Sequence, residues 1–292
     1  MEYNILLTFN NNYVKNVKPL IRSIVNNVEN TECDIFLLNN DITNKNYKKI
    51  KKIVKNCMKI NQSINVINVK FPIEIIKDLP IQIGENRWSI EIYFRIFAPF
   101  ILKNIDRCLY LDADVIVAKR ISEFYNQSFE NNCLVAVRND IQEKHKNRLH
   151  LNEKNVYFNS GIILMNCKMI RNDYNLECIR RKLYQIKKVL EYPDQDFLNL
   201  FFEGKIKEAE KKYNYMISVQ EIRTNYSQVY DYVFCHYVLT KPWKILFPYK
   251  SDKEYLKNVF PITKRIILWA IHRMYRFYKL YINVDRRLKG DR

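Results

Sequence analysis

Two aspartates interrupt an apolar run near the middle of the chain. Residues 111–117 read LDADVIV, and the pattern predicts a buried strand over 107–117 that contains Asp112, Ala113 and Asp114. Burying an unpaired carboxylate costs several kcal/mol, so two of them in this strand need a reason. A hard divalent cation at the strand's carboxyl end would provide one, because open α/β sheets bind ligands at that edge. A strand-end turn with two solvated aspartates is the alternative.

A second polar cluster precedes a helical pattern. Pro193 is followed by Asp194, Gln195 and Asp196, and the pattern predicts a helix over 195–202. Asp194 would then be the N-cap and Asp196 a first-turn acid. A capped helix start is also a rigid place to hold a catalytic carboxylate or amide, so the structural and functional interpretations are compatible.

Two further segments carry groups suited to a metal ion or a phosphate. His236 and Lys241 lie close together in sequence. An isolated histidine is usually structural, but here it could complete a site of mixed oxygen and imidazole ligands, and Lys241 could neutralise a phosphate. Upstream, residues 157–161 read YFNSG, a polar turn with Asn159 and Ser160 that leads into an apolar strand.

The composition argues against some classes of nucleotide-binding protein. Only 4 glycines occur, and neither GxGxxG nor GxxxxGK[ST] is present, which disfavours dinucleotide-binding and P-loop folds. The net charge of +18 attracts nucleic acid, acidic membranes or phosphorylated substrates without choosing among them. The 7 cysteines form no CxxC pair and are odd in number, so we expect free thiols in a reducing cytoplasm.

No segment is predicted to cross a membrane. The opening MEYNILLTF lacks the basic region and long apolar core of a signal peptide. The apolar runs fall far short of the roughly 20 residues that span a bilayer. The sequence therefore predicts a cytoplasmic protein.

The hydrophobic pattern predicts an α/β protein. Apolar runs at 4–9, 34–38 and 65–69 read as strands, and they alternate with a helix over 17–28 and another capped by Thr43. This β-α-β-α-β beginning predicts a parallel, doubly wound sheet. The later pattern predicts a helix over 90–102 that Pro99 interrupts or ends, strands at 134–137 and 161–165, and a helix over 168–189.

The last residues differ from the rest of the chain. Residues 264–292 contain nine Lys and Arg against two Asp, a net charge of +7. At helical spacing, an apolar stripe that includes Ile267, Met274 and Tyr281 lies opposite a basic stripe that includes Arg273 and Arg276. The pattern predicts a basic amphipathic helix that binds an anionic membrane surface, with packing on the preceding domain as the alternative. We therefore expect a domain over 1–248 and a tail over 249–292, and a peripheral position on the inner face of the cell membrane.

Five segments, in order, resemble glycosyltransferase family 8, which includes bacterial lipooligosaccharide galactosyl- and glucosyltransferases and glycogenin. They are YFR at 93–95, LYLDADVIV at 109–117, YFNSGIILMN at 157–166, YPDQDFLN at 192–199 and HYVLTKPW at 236–243. The resemblance covers roughly residues 3–245. It implies a GT-A type nucleotide-sugar-binding fold with a doubly wound mixed sheet. It also implies retaining transfer of galactose or glucose from a UDP-sugar to a saccharide or lipid-linked saccharide, in cell-surface glycan synthesis.

The resemblance also implies roles for individual residues. Asp112, Asp114 and His236 match the metal ligands, usually for Mn²⁺, with Mg²⁺ as the alternative. Gln195 matches the residue that faces the β side of the anomeric carbon, and with Asp194 and Arg95 it forms the expected catalytic group. The other positions that match the family's donor-contacting segments are Asn10, Asn12, Tyr13, Ala113, Asn159, Ser160 and Lys241.

Three positions depart from the family pattern. Asn10 stands where the family usually has an acid, although its amide oxygen can still accept a hydrogen bond from uracil. Leu239 stands where a glycine is common. An aspartate is expected near Asn139, and Asp140 is a register-shifted substitute for it.

Other functions are compatible with parts of the sequence. A sugar nucleotidyltransferase would need a Gly-rich N-terminal signature that is missing here. A nucleic-acid-binding protein would suit the charge, but it would leave Asp112, Asp114 and Asp194 unexplained, so no nucleic-acid partner is expected. A family member that binds a sugar nucleotide without catalysis is the remaining alternative, and Asn10 and Leu239 keep it open.

Overall fold

The computed structural model describes most of the chain, namely residues 2–29, 32–83, 86–139, 142–217, 231–238 and 241. Residues up to Met216, together with the segment that ends at His236, form one compact unit. Ile217, Tyr237, Val238 and Lys241 belong to a second unit. The predicted tail at 249–292 lies outside the described residues.

The first unit is built from alternating strands and helices. Within the described residues, the strands are β1 (Glu2–Thr8), β2 (Glu32–Asn39), β3 (Ser63–Lys70), β4 (Gln82–Ile83), β5 (Asn86–Arg87), β6 (Arg107–Leu111), β7 (Val115–Val117), β8 (Leu134–Arg138), β9 (Phe158–Asn166), β10 (Ile206–Ala209), β11 (Tyr215–Met216) and β12 (Phe234–His236). The α-helices are α1 (Lys18–Asn27), α2 (Asn44–Cys57), α3 (Phe94–Ile101), α4 (Ser122–Tyr125), α5 (Gln142–Leu149), α6 (Cys167–Asp173), α7 (Leu176–Ile186) and α8 (Pro193–Phe201). Short 3₁₀ helices span Asn11–Lys15, Ile73–Ile76, Ile90–Tyr93 and Lys211–Tyr213.

The main sheet is mixed. Its strand order is β10-β8-β9-β6-β1-β2-β3. Strands β3, β2, β1 and β6 pair in parallel, and β9 runs antiparallel to both β6 and β8. The parallel arrangement predicted for the opening strands is therefore confirmed. The chain proceeds from β1 to β2 and β3 on one side and reaches β6 on the other, so the strand order reverses at the β1/β6 pair, where open α/β sheets bind ligands.

Both faces of the sheet are covered by apolar side chains. In β1, Ile5 and Leu7 join the cluster that α1 and α2 cover, while Leu6 joins the cluster on the α3 face. Strand β6 divides in the same way, with Leu109 on the first face and Tyr110 on the second. Burial on both faces explains why these strands are nearly continuous runs of apolar residues.

Some predicted elements are divided in the structure. The strand predicted over 107–117 is two strands, because the chain turns between β6 and β7 at the aspartates. The helix predicted over 168–189 is interrupted at Tyr174 and Asn175, where the Asn175 side chain accepts the Cys178 N–H (2.8 Å) and starts α7.

Two predictions about helix ends were wrong. Pro99 does not end α3 but lies inside it, and the helix continues to Ile101. Asp194 is not the N-cap of α8, because that helix begins two residues earlier than predicted, at Pro193, with Tyr192 as the N-cap. Proline suits the first helical position, where its missing N–H costs nothing. The Thr43 cap of α2 is confirmed, since its hydroxyl accepts the Asn46 N–H (3.3 Å).

All seven cysteines are free thiols, as predicted, and five of them are buried. Among the described residues, none of the helices has the length and apolar character that a bilayer-spanning segment requires.

Candidate active site

The two aspartates lie in a turn at the carboxyl end of β6. The Val115 N–H donates to the Asp112 carbonyl oxygen (3.2 Å), which closes the turn, and Ala113 packs half-buried on the core between the two acids. Strand β12 pairs antiparallel with β7 and sets His236 opposite Val115. Strand pairing therefore brings His236 to the aspartates.

Asp112, Asp114 and His236 form a candidate metal centre. The ligating atoms of the three side chains lie within 4.8 Å of one another. His236 Nε2 is 3.3 Å from Asp114 Oδ1 and 3.7 Å from Asp112 Oδ2. Two carboxylates and one imidazole are a suitable donor set for a divalent cation such as Mn²⁺.

Gly161 of β9 leaves the room in which these side chains meet. A Cβ atom built on Gly161 would overlap the His236 ring and lie 2.8 Å from Asp112 Oδ2. The backbone of Gly161 also fixes the start of the turn, because its carbonyl oxygen accepts the Asp112 N–H (2.8 Å). The residues therefore fit a shared cation, and the absence of a side chain at 161 is part of that fit.

Arg95 of α3 holds two carboxylates together. Its guanidinium contacts Asp112 Oδ1 (2.8 Å) and Asp194 Oδ2 (3.0 Å), and it donates to the Ser160 carbonyl oxygen (3.0 Å). The guanidinium also lies over the Tyr110 ring, 4.1 Å from its centroid. Buried ionic groups are tolerated where they are paired in this way.

The same contacts orient Asp112. Arg95 and the Tyr110 hydroxyl, which donates at 2.5 Å, both engage Oδ1. The other oxygen, Oδ2, is the one that faces His236. Groups behind a metal ligand commonly fix its orientation, and Arg95 and Tyr110 occupy those positions here.

The charges in this cluster shift one another's pKa values. Burial alone would lower the pKa of Arg95, but attraction to Asp112 and Asp194 outweighs it and raises the pKa. Burial raises the pKa of Asp194 to about 6; Arg95 opposes that rise and Asp112 adds to it. Asp194 also accepts the Ser160 hydroxyl (2.7 Å).

Gln195 is held at three points. Its Oε1 accepts hydrogen bonds from Asn159 Nδ2 (3.0 Å) and the Ser160 N–H (3.1 Å), and its Nε2 donates to the Tyr157 hydroxyl (2.9 Å). Tyr157 in turn donates to Asp196 (2.6 Å). Burial, with Asp196 nearby, raises the pKa of Tyr157 well above its usual range, so this hydroxyl remains a donor.

Asp196 anchors the network from inside α8. It is fully buried, pairs with Arg148 of α5 (2.7 Å), and accepts the backbone N–H groups of Glu191 and Tyr192. The sequence prediction treated Asp196 only as a first-turn acid and did not identify Arg148, Tyr110 or Tyr157 as site residues. Tyr110 and Tyr157 lie in the family-like segments, but nothing in the spacing of Arg148 marks it.

The residues expected to hold the nucleotide begin where β1 ends, at the sheet edge that carries Asp112. Asn10 caps the 3₁₀ helix Asn11–Lys15, because its Oδ1 accepts the Tyr13 N–H (3.1 Å) while its Nδ2 donates to Ser89 (3.2 Å). Tyr13 packs half-buried on the core, and Asn12 is exposed.

The other predicted donor contacts are only partly described. Asn139 follows β8 and donates its N–H to the Tyr157 carbonyl oxygen (2.9 Å). Asp140 and Leu239 lie outside the described residues. In the second unit, the Lys241 ammonium donates to the carbonyl oxygens of Tyr237 (2.7 Å) and Val238 (3.2 Å).

Comparison with known proteins identifies the family. Residues 4–246 match the model of Glycosyl transferase family 8, and the chain belongs to that family of glycosyltransferases. The fold resembles solved structures of LgtC: an active-site mutant of that protein has a TM-score of 0.74 at 22% identity, covering 91% of this chain and 99% of LgtC. The architecture is the GT-A fold.

Curated relatives carry names from lipopolysaccharide synthesis. A lipopolysaccharide 1,2-glucosyltransferase of Escherichia coli is 31% identical over 65% of this chain and 59% of its own length. A protein of the same name from Escherichia coli strain K12 is 29% identical over 84% of this chain and 73% of its own. A lipopolysaccharide 1,3-galactosyltransferase of Salmonella typhimurium is 30% identical over 63% and 57%. The chain thus spans less than two thirds of the first and third of these relatives.

Replacing Gly161 by Ala should weaken divalent-cation binding. The added methyl would displace the His236 ring or Asp112. We expect Mn²⁺ affinity to fall by about tenfold or more, as when the surroundings of a metal ligand are disturbed, with titration calorimetry as the measurement. Gly204→Ala is the matched control: Gly204 has nothing within 4 Å but a φ of +73°, so its variant should lose about 1 kcal/mol of stability and keep its affinity. Equal affinities in the two variants would contradict the assignment.

Replacing Asp194 by Asn should change how stability depends on pH. The folded-state pKa of about 6 lies above the ordinary value of about 3.9, so the folded protein binds more protons than the unfolded chain between these values. Wild-type stability should therefore fall as pH rises from about 4 to about 6. The Asp194→Asn variant lacks this titration, so its melting temperature should rise relative to that of the wild type as pH increases from about 4 to about 6.

Thermal unfolding of both proteins in EDTA measures this difference. The comparison depends on the slope against pH and not on the absolute melting temperatures, since Asn also changes the contact with Arg95. If the melting temperature of the wild type instead rises relative to that of the variant as pH increases, Arg95 holds the pKa of Asp194 low.

Proposed function

We propose that this protein is a metal-dependent, retaining glycosyltransferase that moves galactose or glucose from a UDP-sugar to a saccharide acceptor in cell-surface glycan synthesis. The observation that carries the proposal is the Asp112–Asp114–His236 cluster at the β1/β6 switch point, joined through Arg95 to Asp194. The names of the relatives support a hexose donor and a glycan acceptor. Family membership alone specifies neither.

Asp112, Asp114 and His236 would hold the cation, Mn²⁺ or Mg²⁺. When bound, the cation supplies Lewis-acid stabilisation of the diphosphate leaving group. Arg95 keeps Asp112 oriented and compensates part of the negative charge of the cluster. Lys241 is proposed to add positive charge at the diphosphate, and Asn10, Asn12 and Tyr13 to hold the nucleoside.

Asp194, Gln195 and Asn159 are proposed to surround the donor sugar. Retention requires either a covalent sugar–enzyme intermediate or attack by the acceptor from the face that UDP leaves. An amide is a poor nucleophile, and the Oε1 of Gln195 already accepts two hydrogen bonds. We therefore favour same-face attack, in which the acceptor oxygen bonds to C1 as the bond from C1 to the diphosphate oxygen breaks, and the departing diphosphate takes the proton of the acceptor hydroxyl. Asp194 and Gln195 would position the sugar and stabilise its developing positive charge.

The proposal predicts metal-dependent turnover with retention. UDP-galactose, UDP-glucose and UDP-N-acetylglucosamine would each be incubated with the protein and Mn²⁺, and the release of UDP measured with and without EDTA. Asp112→Asn, Asp114→Asn and His236→Ala should each lose activity on the order of a hundredfold or more while remaining folded. Asp173→Asn, which breaks only a surface pair with Lys205 (3.0 Å), is the control and should keep activity.

The transferred sugar should keep its anomeric configuration when the product is examined by NMR. An inverted product would refute the retaining mechanism, and full turnover in EDTA would refute the metal assignment. Tight binding of a UDP-sugar with no turnover in any assay would identify a non-catalytic binding protein instead.

We also propose that the tail over 249–292 binds anionic membranes and so brings the active site to lipid-linked acceptors. Its acid-free segment from Lys264 to Tyr281 pairs an apolar stripe with a basic one. Each basic residue near an anionic surface contributes about 1 kcal/mol, and burial of the apolar stripe adds to that.

Sedimentation with anionic liposomes at low salt tests this proposal. The full-length protein should pellet with the vesicles, and a variant that ends after Asn258 should stay in the supernatant. The double variant Arg273→Glu and Arg276→Glu keeps the apolar stripe and should bind anionic vesicles more weakly than the full-length protein. Its binding to neutral vesicles should be no stronger than its binding to anionic ones. Full-length protein that remains in the supernatant would show that the tail is not a membrane anchor.

A further inference from the structure

A neutral histidine has a free lone pair on only one of its two ring nitrogens, and only that nitrogen can bind a cation. His236 is 3% exposed, and its Nε2 faces Asp112 and Asp114. Its other nitrogen, Nδ1, lies 3.0 Å from Oδ1 of Asn214, a residue with no exposed surface that directly precedes β11. Which nitrogen of His236 carries the proton therefore depends on which atom Asn214 turns toward it.

The backbone of β9 determines the orientation of Asn159. The Gly161 N–H points at one amide atom of Asn159 (3.0 Å), and a backbone N–H can only donate, so that atom is the oxygen. The Asn159 amide nitrogen must then face Gln195. The Gln195 atom that faces Asn159 (3.0 Å) also receives the Ser160 N–H (3.1 Å). It must therefore be the amide oxygen, which can accept a hydrogen bond from the Asn159 amide nitrogen. Two backbone donors thus require the same orientation.

That orientation passes to Asn214. The oxygen of Asn159 lies 2.8 Å from Asn214, so Asn214 must direct its amide nitrogen there as the donor. Its amide oxygen is left to face His236 Nδ1. An amide oxygen only accepts, so Nδ1 must carry the proton, and a neutral imidazole then has its lone pair on Nε2.

We propose that Asn214 is a positioning residue that fixes His236 in the Nδ1–H tautomer, with the Nε2 lone pair directed at the metal site. The tautomer is determined by a chain of hydrogen bonds that starts at the Gly161 N–H and runs through Asn159 and Asn214 to His236. Without it, the Nε2–H tautomer would be favoured, because that proton could be donated to the carboxylates of Asp112 and Asp114. A cation would then have to displace the proton before binding.

The inference rests on the proposed metal site but can be tested separately from it. In metal-free wild-type protein at alkaline pH, ¹⁵N NMR of labelled histidine should show His236 as the Nδ1–H tautomer, with His236→Gln used to assign the signal. This measurement involves neither metal nor turnover. An Nε2–H tautomer would overturn the inference, even in a protein that binds Mn²⁺. An Nδ1–H tautomer in a protein that fails to bind Mn²⁺ would support it and refute the proposed metal dependence.

Variants of Asn214 test the consequence for metal binding. Asn214→Leu removes the acceptor and should lower Mn²⁺ affinity by about 10- to 100-fold, the usual cost of losing such a partner, and shift His236 toward Nε2–H. Asn214→Asp keeps an acceptor for Nδ1–H and should retain the Nδ1–H tautomer, although it loses the donor to the Asn159 oxygen and should therefore be less stable.

Asn39→Leu is the matched control, because Asn39 is equally buried and hydrogen-bonded but lies on β2, outside this chain of amides. It should lose stability without changing the His236 tautomer. Unchanged Mn²⁺ affinity and tautomer in a folded Asn214→Leu protein would overturn the proposal.

Discussion

The structure of this site depends on how three charges are buried together. Arg95 lies between Asp112 and Asp194, where the side chains of Arg95 and Asp194 are 7% and 5% exposed. The guanidinium contacts two carboxylates, and Asp114 beside Asp112 adds a third, so the ionised groups sum to a net charge of −2. Burial is the main cause of the raised pKa of Asp194; Arg95 opposes the rise, and the negative charge of Asp112 adds to it. A divalent cation carries the complementary charge, so the electrostatics of the cluster and its donor set favour the same ligand.

Strand β9 provides the fixed reference for the polar groups around those charges. Its consecutive residues Asn159, Ser160 and Gly161 contact Gln195, Arg95 and the start of the Asp112 turn through backbone groups as well as side chains. Backbone donors and acceptors cannot reverse their roles, whereas amide and hydroxyl side chains can. A network tied to one strand at three successive residues therefore has a single consistent set of donors and acceptors. Preorganised dipoles of this kind need little rearrangement when charge develops in a reaction.

The sequence predicted the fold class from strong local patterns, whereas the grouping of His236 with Asp112 and Asp114 was expected chiefly from the resemblance to the family. Continuous apolar strands alternate with helices at the start of the chain, and two acids inside a strand are conspicuous. Strand β12 is only three residues long, so no periodicity could show that it pairs with β7 and delivers His236. A turn between β6 and β7 was considered only as the alternative, because the interruption is the acidic pair itself. Asn214 was not identified either, since a single asparagine before a two-residue strand has no distinguishing spacing.

The amide at position 195 follows from the groups around it. Tyr157 gives its proton to Asp196, whose other oxygen is occupied by two backbone N–H groups, so the Tyr157 oxygen can only accept from its remaining neighbour. That neighbour must be a donor, and Nε2 of Gln195 is one. A carboxylate at the same place would put an acceptor against the Tyr157 oxygen and compete with Asp196 for one proton. On its other side, Gln195 must accept from the Ser160 N–H. An amide donates at one atom and accepts at the other, which an ionised carboxylate cannot do, so the network disfavours a carboxylate nucleophile at this position.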